Sequence, residues 1–212
     1  MGHTLIATCG GGRPARQYIG IAKELGAPAE LQDRLGILAS HSNALLLIAA
    51  LGEDAYPGVN RTAGDIRRHT DEIAMSESHV HATARDEVRH IGPRVLVGGG
   101  HLPGSSTDYR AVIFAEAIGA DLVVNATDVA GVYTENPKTH PEARKLNSLT
   151  YSELERIIKR NAKQSPGDYG LFDLKAMRLA RRIGITIVFV DGSDPREIAR
   201  ALEGKHSGTV VK

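Results

Sequence analysis

The 212 residues carry 26 Lys and Arg against 25 Asp and Glu, a formal net charge of +1, so there is no basic field of the kind that gathers nucleic acid. No Trp and only 4% aromatic residues leave no stacking platforms for single strands, and the lone cysteine, Cys9, excludes an internal disulfide framework and a multi-cysteine zinc site. No apolar run is read as reaching the roughly 20 residues that span a bilayer, and Met1-Gly2-His3-Thr4 lacks a signal-peptide layout, so a cytoplasmic protein without a membrane partner is expected.

The first strand is predicted over Thr4 to Thr8 and a helix over Pro14 to Leu25, with Pro14 in a first turn that accepts a missing donor. Between them stands Gly10-Gly11-Gly12, where the lack of side chains lets backbone N–H groups approach a phosphate. Formally this run matches the dinucleotide turn G-x-G-x-x-A. That reading also needs an acidic residue ending a second strand, whereas Asp33 fronts the long helical pattern Leu31 to Leu51. Arg16, one turn into the first helix, can reach a phosphate at the helix N-terminus; a solvated helix residue is the alternative. The Leu31 to Leu51 pattern is apolar on more than one face, which fits either a subunit interface or a core helix.

Gly58 to Gly92 is polar and charge-rich, carries His69, His79, His81 and His90, and shows no sustained apolar face, so it reads as an insertion. His79 and His81 point the same way only on a strand, and no carboxylate pairing singles out a metal, so no metal site is assigned. Next come a strand at Arg94 to Val97, the triplet Gly98-Gly99-Gly100, then His101-Leu102-Pro103-Gly104-Ser105-Ser106-Thr107-Asp108 entering a helix over Thr107 to Ile118. This is a second candidate anion turn, its hydroxyls free to bind a ligand or to cap the helix. The strand Asp121 to Ala126 delivers the polar loop Asn125 to Lys138, and ligands of open α/β sheets bind outside such carboxyl ends. No Walker loop is present. Helices over Ser152 to Asn161, Asp173 to Ile183 and Pro195 to Leu202, with strands Thr186 to Asp191 and Thr209 to Val211, complete an α/β alternation around one mostly parallel sheet in a single domain.

Together these segments resemble the amino-acid kinase superfamily, and within it the archaeal-type uridylate (UMP) kinases. The likeness rests on the first glycine triplet with Ala15-Arg16 and Tyr18-Ile19, Asp33-x-x-Gly36-Ile37, Asn43-Ala44, Ala55-Tyr56-Pro57, Pro103-Gly104 with Ser106-Thr107-Asp108, and Thr127-Asp128-Val129-x-Gly131-Val132-Tyr133-Thr134. It continues through Asp173, Gly184-Ile185, Gly204 and Gly208-Thr209, and covers the chain except Gly58 to Gly92.

The resemblance implies a three-layer α/β/α sandwich spanning residues 1–212, with an acceptor half over about 1–106 and an ATP half over about 107–212. It implies that Gly11, Asp33, His101, Leu102, Pro103, Gly104, Ser105, Ser106 and Thr107 hold UMP, with Asp33 on the ribose. Gly12, Arg16, Thr127, Tyr133 and Asn136 would lie against ATP, and Asp173 would organise the transferring phosphates. The reaction implied is in-line transfer of the ATP γ-phosphoryl to UMP with Mg2+. Dimers assembled into a hexamer are implied as well.

The chain also departs from the family pattern. The family opens on a strand with Lys-x-Gly-Gly-Ser that has no counterpart in these residues, so Thr4 to Thr8 is expected to match the family's second strand and the chain to be a truncated or degenerate member. Ala130 and Asn136 replace Asp. Arg178, taken as a catalytic candidate, stands where a phosphate-contacting Lys is usual and keeps the charge without the ammonium geometry. Two other functions stay open: a non-catalytic nucleotide-binding module, and a sister kinase acting on another small phosphate or carboxylate.

Overall fold

The structure is a computed structural model that describes residues 4–83, 94–161 and 171–212, without the side chains of 76–83 and 161. It contains two compact units, Met1–Ile118 and Gly119–Lys212. The described strands pair within each unit, where one sheet through both halves was expected.

In the first unit β1 (Leu5–Thr8), β2 (Ala55–Asn60) and β3 (Val95–Gly98) form a parallel sheet in the order β1-β3-β2. Successive residues of β3 face opposite sides. Leu96 packs with Ile66, Ile73 and Phe114 of α3 (Ala63–Thr83) and α4 (Thr107–Ile118). Val97 packs with Ala44, Leu47 and Ile48 of α2 (Ala29–Leu51), on which α1 (Gly12–Glu24) lies. This is the expected three-layer arrangement. α4 packs on β1 and α3 and so joins this unit, which places the division at 118/119, where halves at 106/107 were expected.

Two elements stand where an insertion was expected. β2 contains Pro57 and Gly58, both strand breakers, and is tolerated because it is an edge strand whose register shifts between Ala55 and Val59. α3 buries Ile66 and Ile73, seven residues apart, too sparse a stripe to register as periodicity. Its start is fixed by a capping box: the Asp65 N–H donates to Thr62 Oγ1 (3.0 Å) while the Thr62 N–H donates to Asp65 Oδ2 (2.9 Å). The backbone of His79 and His81 lies in α3, but their side chains, and all of His90, fall outside the described residues.

α2 corrects a second expectation. With the turn behind it (residues 29–54) it has the length and composition of a membrane-crossing helix, at a mean hydropathy of 1.7 and with 17% of its most apolar window buried. Its polar side chains Asp33, Ser40, His41 and Asn43 nonetheless all bond to loops of the first unit.

In the second unit β4 (Leu122–Thr127), β8 (Thr186–Asp191), β9 (Thr209–Val211) and β7 (Ser148–Leu149) form a mixed sheet in the order β4-β8-β9-β7. β5 (Val132–Tyr133) and β6 (Lys145–Leu146) pair separately. Val188 and Val190 pack under Ala201 and Ile198 of α7 (Pro195–Leu202), while Phe189, on the other face, meets Phe172 edge-on at 5.4 Å. Phe172 leads into α6 (Leu174–Ile183), which packs with α5 (Tyr151–Asn161). Gly208-Thr209 makes the turn into β9: the buried Thr209 hydroxyl accepts from the Val132 N–H (2.8 Å) and donates to the Leu146 carbonyl, tying β9 to the hairpin.

The buried Glu197 closes the end of α7. Its carboxylate accepts from the Ser207 N–H (2.9 Å) and hydroxyl (2.8 Å) and pairs with Arg200 (2.7 Å). The Ser207 N–H first, then Arg200 and the Ser207 hydroxyl, lower its pKa from 4.5 to about 2. A carboxylate with a depressed folded-state pKa stabilises fully above its unfolded value and loses that contribution on protonation. The second unit should therefore lose stability as pH falls from about 4.5 to about 2. Urea midpoints across that range should fall less steeply in Glu197→Gln, which starts from a lower stability at neutral pH.

Candidate active site

The parallel strands of the first unit end on one row, Thr8, Gly98 and Asn60. The β1 loop prolongs the ladder, with the Cys9 N–H donating to Gly98 O (2.8 Å), and is pinned from α2 by Asn43 Nδ2 donating to Gly10 O (2.7 Å). Burial raises the pKa of the half-buried Cys9 thiol, which packs as a small hydrophobe. Gly11 has no room for a side chain: a Cβ would lie 2.4 Å from Ala15 Cβ and 3.0 Å from Gly36 O, where α1 crosses α2. Gly12 begins α1 at φ +57°, a conformation L side chains rarely adopt, and no side chain caps the helix. The first turn of α1 holds Pro14, which has no N–H, and its Ala15 N–H donates to Gly11 O (3.1 Å); the exposed Arg16 stands one turn on.

The second triplet has a different cause. A Cβ on Gly98 would lie 2.5 Å from the Phe114 ring, on Gly99 2.8 Å from His41, and on Gly100 3.2 Å from Ser40 Oγ. The Gly100 N–H donates to Ser40 Oγ (2.8 Å), and its carbonyl lies 2.6 Å from His41 Nε2. Close packing on α2 and α4 demands these glycines, and the Gly100 N–H is already committed, which corrects the reading of the triplet as a second anion turn.

Beyond it the loop from His101 to Thr107 folds back toward α2. The Gly104 N–H donates to Asp33 Oδ2 (2.8 Å), and the Ser105 N–H closes a turn on Leu102 O (3.2 Å). Ser106 caps α4, its hydroxyl accepting from the Tyr109 N–H (3.1 Å). Thr107 Oγ1 lies 3.5 Å from where a Gly10 Cβ would be. Sequence-distant Gly11, Asp33 and His101 to Thr107 thus occupy one end of one unit, with Leu102, Pro103 and Gly104 exposed on the rim. His101 titrates below its usual 6.5, through burial first and the positive charge of Arg110 second.

In the second unit β4 and β8 end side by side, Thr127 opposite Asp191. The Gly192 N–H donates to Thr127 O (2.6 Å), and Asp191 Oδ1 accepts from the Ser193 N–H (2.8 Å) and hydroxyl (2.6 Å). Asp191, Gly192 and Ser193 were missed in the sequence, although Asp-Gly-Ser closing a buried strand is itself a loop signal. Asp128 pairs with Lys138, whose hydrogen bond holds its carboxyl below the usual range. Asn136 orders its own turn, its side chain accepting from the Lys138 N–H (3.0 Å) and its carbonyl from Thr139 and His140. Tyr133 is half-buried in β5, opposite Lys145.

The two catalytic candidates lie on one helix. Asp173 is the N-cap of α6, accepting from the Lys175 (2.5 Å) and Ala176 (3.4 Å) N–H groups. Arg178, five residues on and more than half exposed, turns to Glu155 of α5 (3.4 Å), which also binds Lys159 (2.8 Å). Among the described residues no three His, Cys, Asp or Glu side chains converge as a metal cage.

Residues 1–191 match the amino acid kinase family. The chain is 40% identical over 209 residues to a uridylate kinase of Methanothermobacter thermautotrophicus, covering 99% of this chain and 84% of that protein. With a uridylate kinase of Pyrobaculum calidifontis the identity is 37%, covering all of this chain and 87% of the other. The crystal structure of uridylate kinase from Archaeoglobus fulgidus superposes with a TM-score of 0.78 at 32% identity, covering 99% of this chain and 85% of that one.

Proposed function

The chain belongs to the amino acid kinase family, and from that premise we propose that it is a UMP kinase. The observation that carries the reading is the hydrogen bond from Gly104 N–H to Asp33 Oδ2, which joins the two segments expected to hold the nucleotide. It leaves the second carboxylate oxygen of an exposed Asp33 to accept from ribose hydroxyls. The similarity to uridylate kinases over nearly the whole chain supports the choice of UMP over another small phosphate.

The acceptor phosphate is assigned to the uncapped start of α1 at Gly11, where the helix dipole favours an anion. Thr127, Tyr133 and Asn136, all in the second unit, are proposed as ATP contacts. Asp191 joins them as Thr127's neighbour across β4 and β8. An oxygen of the UMP phosphate attacks the γ-phosphorus of ATP, the bond to the bridging oxygen breaks, and UDP and ADP leave. Mg2+ carried on the ATP phosphates would supply charge neutralisation of the transferring group. Asp173 supports the transfer from the N-terminus of α6. Its helix cap holds the carboxylate in place at the N-terminus of α6.

Incubation with ATP, UMP and Mg2+, read as ADP and UDP formation, tests the proposal. UDP formation with UMP preferred over isopentenyl phosphate and carboxylates supports it. Tight UMP binding without turnover would instead identify a nucleotide-binding module.

We further propose a cytoplasmic homo-oligomer built through the outer face of α1 and α2. Leu31, Leu38 and Leu45 recur every seven residues along α2 and are exposed, beside exposed Leu46 and, on α1, Tyr18, Ile21 and Leu25. Such a stripe is larger than isolated surface leucines explain. Leu38→Glu with Leu45→Glu should convert the assembly to monomers in sedimentation velocity; a wild-type monomer at micromolar concentration would remove the proposal.

A further inference from the structure

Gly100 is gripped at both of its backbone polar groups by two adjacent residues of α2. Its N–H donates to Ser40 Oγ (2.8 Å), and His41 Nε2 donates to its carbonyl (2.6 Å). A carbonyl oxygen only accepts, so Nε2 carries the imidazole hydrogen in this contact. Ser40 is buried at 1% exposure, and its hydroxyl hydrogen goes to the Ile37 carbonyl (2.7 Å), which leaves a lone pair turned to Gly100. Close approach to α2 explains why residues 99 and 100 lack side chains. It does not by itself aim a hydroxyl and an imidazole at one peptide.

The same helix holds the loop a second time. Asp33, Ile37, Ser40 and His41 follow the i, i+4, i+7 and i+8 spacing that lines one face of a helix, and Asp33 Oδ2 accepts from the Gly104 N–H (2.8 Å). Anchors two turns of α2 apart thus fix Gly100 and Gly104, and only His101, Leu102 and Pro103 run between them. One turn further on, Asn43 Nδ2 donates to Gly10 O (2.7 Å) and holds the glycine turn before α1. Thr107 Oγ1, at the far end of the acceptor loop, comes within 3.5 Å of where a Gly10 Cβ would be. α2 therefore sets the distance between the turn that opens α1 and the loop that opens α4.

We propose that Ser40 and His41 are positioning residues for the acceptor. They fix the Gly100 peptide, and with it the start of the loop from His101 to Thr107, before the nucleotide arrives. Both act through the backbone of Gly100 and not on the nucleotide itself. A loop ordered in advance loses little freedom on binding, so less of its contact with the acceptor is offset by ordering. The effect on UMP rests on the UMP kinase reading, whereas the anchoring of the loop does not.

The test pairs backbone NMR order parameters of the ligand-free full chain with the KM values for UMP and ATP. In Ser40→Ala the order parameters of His101, Leu102 and Gly104 should fall, although the Asp33 partner of Gly104 is untouched. The KM for UMP should rise about tenfold, with kcat and the KM for ATP within about twofold of wild type. Ser40→Thr keeps the hydroxyl and should match wild type in both measurements. His41→Leu should repeat the pattern of Ser40→Ala, and His41→Gln, whose amide nitrogen can donate to the Gly100 carbonyl, should reverse it. A lowered unfolding midpoint with loop order and UMP KM unchanged is the mark of a merely structural role and overturns the proposal. If Ser40→Ala does not fold, His41→Leu against His41→Gln decides alone. Failure of the wild-type chain to bind UMP would count against the UMP kinase reading, while the order parameters still judge the anchor.

Discussion

Asp33→Ala should raise the KM for UMP by roughly tenfold to a hundredfold while moving the KM for ATP little. Two losses combine in this variant. The carboxylate that accepts the Gly104 N–H disappears, so the loop from His101 to Thr107 is no longer held to α2, and the oxygen assigned to ribose goes with it. Hydrogen bonds to a charged group contribute about 1.5 to 3 kcal/mol each, which sets the lower end of the range, and a loop that must be ordered on binding adds to it. Asp33→Asn separates the two roles. An amide oxygen can still accept from Gly104, so a KM between those of wild type and alanine means that loop position and ribose contact both matter. If Asp33→Ala kept wild-type affinity for UMP, the assignment of the acceptor loop would be wrong.

Gly208→Ala should be the most damaging single methyl group in the second unit. A Cβ there would lie 1.9 Å from the Phe189 carbonyl oxygen and 3.0 Å from Val190 Cγ1, and neither can withdraw, because Phe189 and Val190 belong to the buried centre of β8. Moving β9 away would break the Thr209 hydroxyl bridge to Val132 and Leu146 as well. Overpacking of this kind costs roughly 3 kcal/mol, and in a unit of this size the unfolding midpoint should drop by roughly 10 °C or more. Gly20→Ala is the internal comparison: it adds the same methyl to α1 with nothing within 4 Å and should be neutral or stabilising by up to about 1 kcal/mol. Similar midpoints for the two variants in scanning calorimetry would contradict the tight approach of Gly208 to β8.

These two residues also mark what could be read without coordinates. Helices with a continuous apolar stripe and strands of β-branched residues stood out, down to the ends of α4, α7 and β8, because local periodicity and end residues specify them. β2 did not, since its right to hold Pro57 comes from an edge position visible only in the folded sheet, and α3 hid behind two buried isoleucines in a charged surface. For the site, composition could rank Gly10 to Gly12 and Gly98 to Gly100 alike, whereas only packing separates a turn that opens α1 from a seam pressed on His41 and Ser40. Asp33 and the acceptor loop came from family likeness, and their meeting needed the tertiary fold. Arg178 keeps the expected charge at its position in sequence, while its pairing with Glu155 could be found only in the folded helices.

α2 carries two unlike duties on its opposite sides. Asp33, Ser40, His41 and Asn43 grip the loops that would close on the nucleotide, while Leu31, Leu38 and Leu45 look outward. A single rigid helix cannot shift for one duty without shifting for the other, so self-association through that face would be linked to substrate occupancy. Saturating UMP should then tighten assembly, and dilution should loosen substrate affinity by the same factor. Activity would in that case depend on the concentration of this protein more steeply than simple proportion.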